Sequence, residues 1–118
     1  MQDNWSEPVS IRSDILSSDS DDKCPYIKRN IIVFTSNRPG GSGGFDLWYS
    51  QKDSTGWSVP VNFGEKVNTE YDEYRPVLVP MPEFKHDMLM FSSNRPAGKG
   101  GFDLYWVGVK TLIEIEYY

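Results

Sequence analysis

The sequence predicts an all-β chain built from two copies of one antiparallel unit, and three observations predict it. Aromatic residues make up 14% of the 118 residues, beside 10 Gly and 8 Pro. Aromatics favour pleated surfaces, and Gly and Pro punctuate them with turns. No stretch carries the apolar period of a long amphipathic helix. The chain also repeats itself: residues 34–47 read FTSNRPGGSGGFDL and residues 91–104 read FSSNRPAGKGGFDL, identical at 11 of 14 positions and offset by 57. Such internal repetition outranks every other signal in choosing an architecture.

The elements follow in order. A leading strand is expected at about 5–11, where Trp5-Ser6-Glu7-Pro8-Val9 matches Trp57-Ser58-Val59-Pro60-Val61 downstream. The first repeat, about 24–62, opens with a short strand at 24–28 and a turn at Arg29-Asn30. A strongly apolar strand follows at 31–36, then a Gly-rich loop at 37–44. Strands at 45–50 and 57–62 flank a turn at 52–56. The second repeat, about 74–118, gives strands at 75–79, 88–93 and 102–109, with extra turn residues at 81–86. Its last strand is expected at 111–118, where Ile113, Ile115 and Tyr117 alternate with Glu114, Glu116 and Tyr118, the period of a half-buried strand. Four antiparallel strands recurring at about 50 residues form the pattern of a β-propeller blade. The whole chain, 1–118, reads as one such domain of two four-stranded blades.

The repeated residues carry the candidate site. In the loops, Gly40, Gly43 and Gly44, with Gly98, Gly100 and Gly101, accept backbone conformations closed to other residues. Asp46 and Asp103 are placed to accept hydrogen bonds from loop amides and lock the turn. Arg38 and Arg95 admit two readings. They form either a set of guanidiniums that grips a carboxylate or phosphate, or ion pairs with the acids at Asp21, Asp22, Asp72 or Glu73. Repetition favours the second, because an active site seldom needs one residue in every repeat. Asn37 and Asn94 are by default turn formers. Trp48 and Trp106, beside Tyr49 and Tyr105, are candidate partner contacts, since two consecutive strand aromatics cannot face one core.

Other chemistries find little support. The formal charge is −5, with 12 basic and 17 acidic residues, and no basic stripe that nucleic acid would need. No run approaches the ~20 apolar residues of a membrane span, and the polar residues at 1–22 do not make a signal peptide. The acidic stretch Asp19-Ser20-Asp21-Asp22 lacks the Gly and terminal Glu of a calcium loop, and His86 is the single histidine, so no metal or other cofactor is expected. Cys24 is the only cysteine, which excludes an internal disulfide. No Gly-x-Ser-x-Gly elbow occurs, and no catalytic residue is assigned.

At residues 91–105, Phe-Ser-Ser-Asn-Arg-Pro-x-Gly-x-Gly-Gly-Phe-Asp-Leu-Tyr, the chain resembles the repeat of TolB-like propellers; Val67–Glu73 and Trp-Ser-x-Pro-Val belong to the same pattern. The resemblance spans roughly 5–110. It implies a non-enzymatic protein- or ligand-binding module of the bacterial cell envelope or periplasm, in the manner of Bacteroides-type bacteria, with a protein or glycan partner. The alternative it leaves open is a fragment of a glycan-active or peptidase-associated propeller enzyme. A closed propeller needs about four to eight blades. Two blades therefore imply either a piece of a longer propeller or several copies closing one ring as a homo-oligomer.

Overall fold

The computed structural model describes residues 5–9, 15–81, 83, 86–96 and 98–110. Within these, the chain is all-β and every strand pairing is antiparallel. The first sheet runs β1 (Asp22–Lys28), β2 (Ile31–Ser36), β3 (Asp46–Asp53), with β4 (Gly56–Trp57) and β5 (Val61–Asn62) both paired to β3. The second runs β6 (Glu73–Met81), β7 (His86–Ser93), β8 (Asp103–Lys110).

The two sheets share one register. Val33 faces Tyr49 and Phe34 faces Trp48 across β2 and β3; Met90 faces Trp106 and Phe91 faces Tyr105 across β7 and β8. They also share an irregularity. The pairing slips between Lys23 and Tyr26 in one sheet and between Tyr74 and Val77 in the other. Cys24 and Arg75 sit at these slips with φ of 52° and 55°. Pro25 and Pro76 follow them, where the bulge removes the need for a ladder N–H. Two prolines that would disrupt a regular strand thus mark the same bulge twice.

One difference from the expected elements has a direct physical cause. The strand expected at 57–62 divides into β4 and β5 because Pro60 has no N–H to donate. The chain at Ser58 is instead clasped to β3: Ser50 Oγ donates to the Ser58 carbonyl at 2.6 Å, and the Ser58 amide donates to the Gln51 carbonyl at 2.7 Å. Trp5–Val9, the described part of the expected leading strand, are exposed and carry no strand. The strand expected at 111–118 lies outside the described residues.

The sheets pack face to face, with β6 laid against β1, β2 and β3. Alternation splits the apolar residues of β2 and β3 between two cores. Ile31, Val33 and Leu47 point one way and join Val67, Leu78, Leu89 and Phe91. Ile32, Phe34 and Trp48 point the other way and lie with Leu16 and Trp57. Every residue of β2 is therefore buried. Among the described residues, the second sheet is covered on one face, and Val77, Met90, Leu104 and Trp106 on its other face are exposed.

Candidate functional site

The strand order brings five segments to one end of the molecule: the starts of β1 and β6, the two Gly-rich loops, and the connection at 63–72. At this end the repeated polar residues bind one another. The Arg38 guanidinium donates to the Leu16 carbonyl at 2.6 Å, to Asp22 at 2.8 Å and to Ser36 Oγ at 3.1 Å. Arg95 does the same one repeat later, donating to the Val67 carbonyl at 2.7 Å and to Ser93 Oγ at 3.0 Å, with Glu73 at 3.6 Å. Each guanidinium also lies over two rings, Phe34 and Trp48 for Arg38, Phe91 and Tyr105 for Arg95, at 4.9–5.5 Å. Asn37 Oδ1 accepts from the Asp21 amide and Asn94 Oδ1 from the Asp72 amide. The clasp ties each sheet to the segment that precedes it.

The acids complete this network. Asp22 accepts from Ser18, Ser36 and Arg38. Glu73, fully buried, accepts from the Thr69 amide at 2.7 Å, from Thr69 Oγ1 at 2.9 Å and from Ser93 Oγ at 2.9 Å. Asp46 accepts from the Ser42 amide and Asp103 from the Gly100 amide, each closing its own loop. The first loop is also bonded to the connection: Asp72 accepts from the Phe45 amide, and Asn68 both accepts from the Leu47 amide and donates to its carbonyl. Gly43 is there because of this approach. A Cβ at Gly43 would lie 2.9 Å from Glu70 Cα.

Of the six residues singled out for binding, Trp106 is 70% exposed, and Asn37 is exposed while its Oδ1 is taken by the Asp21 amide. Trp48 is buried beneath Leu16 against Ile32 and Phe34, which corrects its expected role as a partner contact. Its neighbour Tyr49 takes the other face, packed on Phe63 at 4.7 Å between centroids. Arg38, Arg95, Asn37 and Asn94 have their polar atoms directed to the clasp.

A groove that the repeat did not mark opens between the inner strands. Lys23, Cys24, Tyr74, Arg75, Ser92 and Phe102 line about 470 Å³ of it. Tyr74 is wedged between Phe45 and Phe102, at 5.1 and 5.5 Å between centroids, and Lys23 Nζ sits 4.6 Å over the Phe45 ring. Burial and the Asp72 charge push the Tyr74 phenol above its usual range. Apart from Phe102, which repeats Phe45, the lining residues differ between repeats, Lys23 standing where Tyr74 stands and Cys24 where Arg75 stands. A search for repetition therefore passes over them, and only the tertiary approach of β1 to β6 assembles the groove. The motif residues Ser36 and Ser93, identical in both copies, were legible as partners of the arginines but were not singled out. Among the described residues, no group of three or more His, Cys, Asp or Glu is placed to hold a metal ion, and no helix is long and apolar enough to cross a membrane.

The carboxylates set opposite responses to pH. Burial pushes Asp22 up, but bonds from Ser36, Ser18 and Arg38 outweigh it and hold the group below 3.8. Its contribution to stability is full above 3.8 and is lost as pH falls through the lowered value. Burial, with the Glu73 charge, raises Asp46 above 3.8, so stability is lost as pH rises through that raised value. Between about pH 3 and about pH 6, the urea midpoint of Asp46→Asn is expected to rise relative to wild type and that of Asp22→Asn to fall relative to it. Parallel curves for all three proteins would remove both assignments.

Comparison of the chain with protein-family models, with curated proteins and with solved structures yields no match in any of the three.

Proposed function

We propose that the chain is a pair of β-propeller blades of the TolB-like kind, serving as a non-enzymatic binding module of the bacterial cell envelope. Its protein or glycan partner occupies the groove at the Gly-loop end. The observation that carries this reading is a division of labour among residues. The repeated Arg, Asn, Ser and acidic side chains are engaged with one another, whereas the unrepeated Lys23, Tyr74 and Arg75 face the groove. Two cations beside a cluster of tilted aromatic rings suit a partner that carries carboxylates on an extended or ring-shaped backbone. Fold alone does not select such a partner, so the experiment must.

Soluble peptidoglycan fragments and an acidic oligopeptide are to be titrated calorimetrically, with products followed by mass spectrometry. Saturable binding of one of them without turnover is expected. Arg75→Asn should weaken it about tenfold or more, the loss of one charge-assisted contact. Asn tolerates the left-handed φ of 55° at this position, so thermal unfolding should be unchanged. An absence of binding, or an affinity indifferent to Arg75→Asn, would overturn the reading. Release of cleaved product would favour a glycan-active or peptidase-associated propeller enzyme instead.

A further inference from the structure

The exposed face of the second sheet is the buried face of the first, one repeat on. Tyr26, Val33, Leu47 and Tyr49 of the first sheet pack against the core of the second. The same repeat positions in the second sheet hold Val77, Met90, Leu104 and Trp106. Leu47 is 0% exposed and Leu104 is 79% exposed, although both belong to the same Phe-Asp-Leu motif. The opposite end of the chain shows the complementary feature. Val67, Leu89 and Phe91 receive Leu47, and their counterparts in the first repeat are Leu16, Ile32 and Phe34. Beside these three opens a mostly apolar cavity of about 230 Å³. One chain thus carries an exposed plug and, beside the buried Leu16, Ile32 and Phe34, an open apolar cavity, the socket, at the place where the second sheet receives Leu47.

The glycines report the same incompleteness independently. At Gly43 and Gly44 the connection at 70–72 presses on the loop, so that an added Cβ would meet the Glu70 backbone or the Asp72 carboxylate. Gly100 and Gly101 hold the same places in the second loop. There, among the described residues, nothing lies within 4 Å of a Cβ built on Gly101, and only the Phe102 carbonyl, at 3.9 Å, is near Gly100. The residues of a second copy equivalent to 70–72 are Asp19, Ser20 and Asp21.

We infer that the occupant of this face is a second copy of this chain, docked head to tail. Leu104 of one copy enters the cavity between Leu16, Ile32 and Phe34 of the next. Asp19–Asp21 of the next copy lie over Gly100 and Gly101, as Glu70–Asp72 lie over Gly43 and Gly44. The Phe102 ring then meets Lys23 of the next copy, where Phe45 meets Tyr74 within the chain. The contact is heterologous, so each added copy presents a fresh plug until the assembly closes on itself. The inference stands on the repeat geometry; it takes up Phe102 and Lys23 of the groove but not Arg75, so loss of assembly and loss of Arg75-dependent binding are read separately.

Light scattering after size exclusion, over a range of concentrations, tests it with the whole chain. The expected result is a mass that is an integral multiple of the chain, above two. Leu104→Glu, which charges the plug, and Ser17→Arg, which sets a long cation at the mouth of the socket, should each be monomeric with native circular dichroism. Mixed in equal amounts they should form a two-chain species, because the mixture retains one intact plug and one intact socket. A wild-type monomer at all concentrations overturns the inference. So does assembly that survives both substitutions, or a mixture that stays monomeric, since a face-to-face dimer would not be rescued by mixing.

Discussion

Leu47→Ala is expected to lower the free energy of unfolding by about 2–5 kcal/mol, and Leu104→Ala by less than about 1 kcal/mol. The two leucines occupy one motif position, carry one side chain and sit in one register. Leu47 is buried completely between the sheets, among Val33, Leu78 and Leu89. Truncating it removes the transfer free energy of the lost carbons and leaves a cavity that rigid strands on both sides cannot close. Leu104 is exposed and loses almost no contacts. Urea titrations of both variants, below the concentration of self-association, measure the difference. Equal losses would mean that the two sheets do not pack as described.

Glu73→Ala should cost about 3–5 kcal/mol, the penalty of breaking a buried charged network by removing one partner. Three donors converge on that carboxylate, the Thr69 amide and hydroxyl and the Ser93 hydroxyl, with the Arg95 guanidinium beyond them. Alanine leaves the donors pointing at a void closed to water, and a buried donor without an acceptor bears its full desolvation cost. Asp22→Ala, at the same repeat position but on the surface, should cost less, since water replaces what the carboxylate accepted. Glu73→Gln supplies a second readout. Glu73 helps to raise Asp46, so Asp46 should titrate at lower pH in this variant, followed by NMR of its carboxyl carbon. A loss below about 1 kcal/mol for Glu73→Ala, together with an unmoved Asp46, would remove Glu73 from the centre of the network.

The sequence made much of the fold legible because its signals are local. The strand Ile31–Ser36 coincides with the expected apolar run, since a stretch buried on both faces is read directly from unbroken hydrophobicity. The Gly-rich loops were legible for a similar reason, a backbone demand that only glycine meets. The junction at Pro60 was less so. Tryptophan and valine invite a continuous strand there, and the missing N–H of one proline divides it. The candidate site was half legible. The arginines were paired with the acids from repetition alone, yet their serine bridges and the carbonyls of Leu16 and Val67 were not singled out. The groove was not legible as a site, because all its lining residues but Phe102 differ between the copies, and its two walls come from strands some fifty positions apart.

By itself the sequence determined an all-β chain and two copies of one motif, and it favoured the pairing of each arginine with an acid upstream. These depend on spacing along the chain, and spacing is what a repeat preserves. Only the tertiary structure decided which member of each equivalent pair is buried. Leu47 and Leu104 are indistinguishable as letters, as are the glycines at 43 and 100. They differ because burial is conferred by a neighbour: the first sheet has the second against it, whereas among the described residues nothing covers that same face of the second.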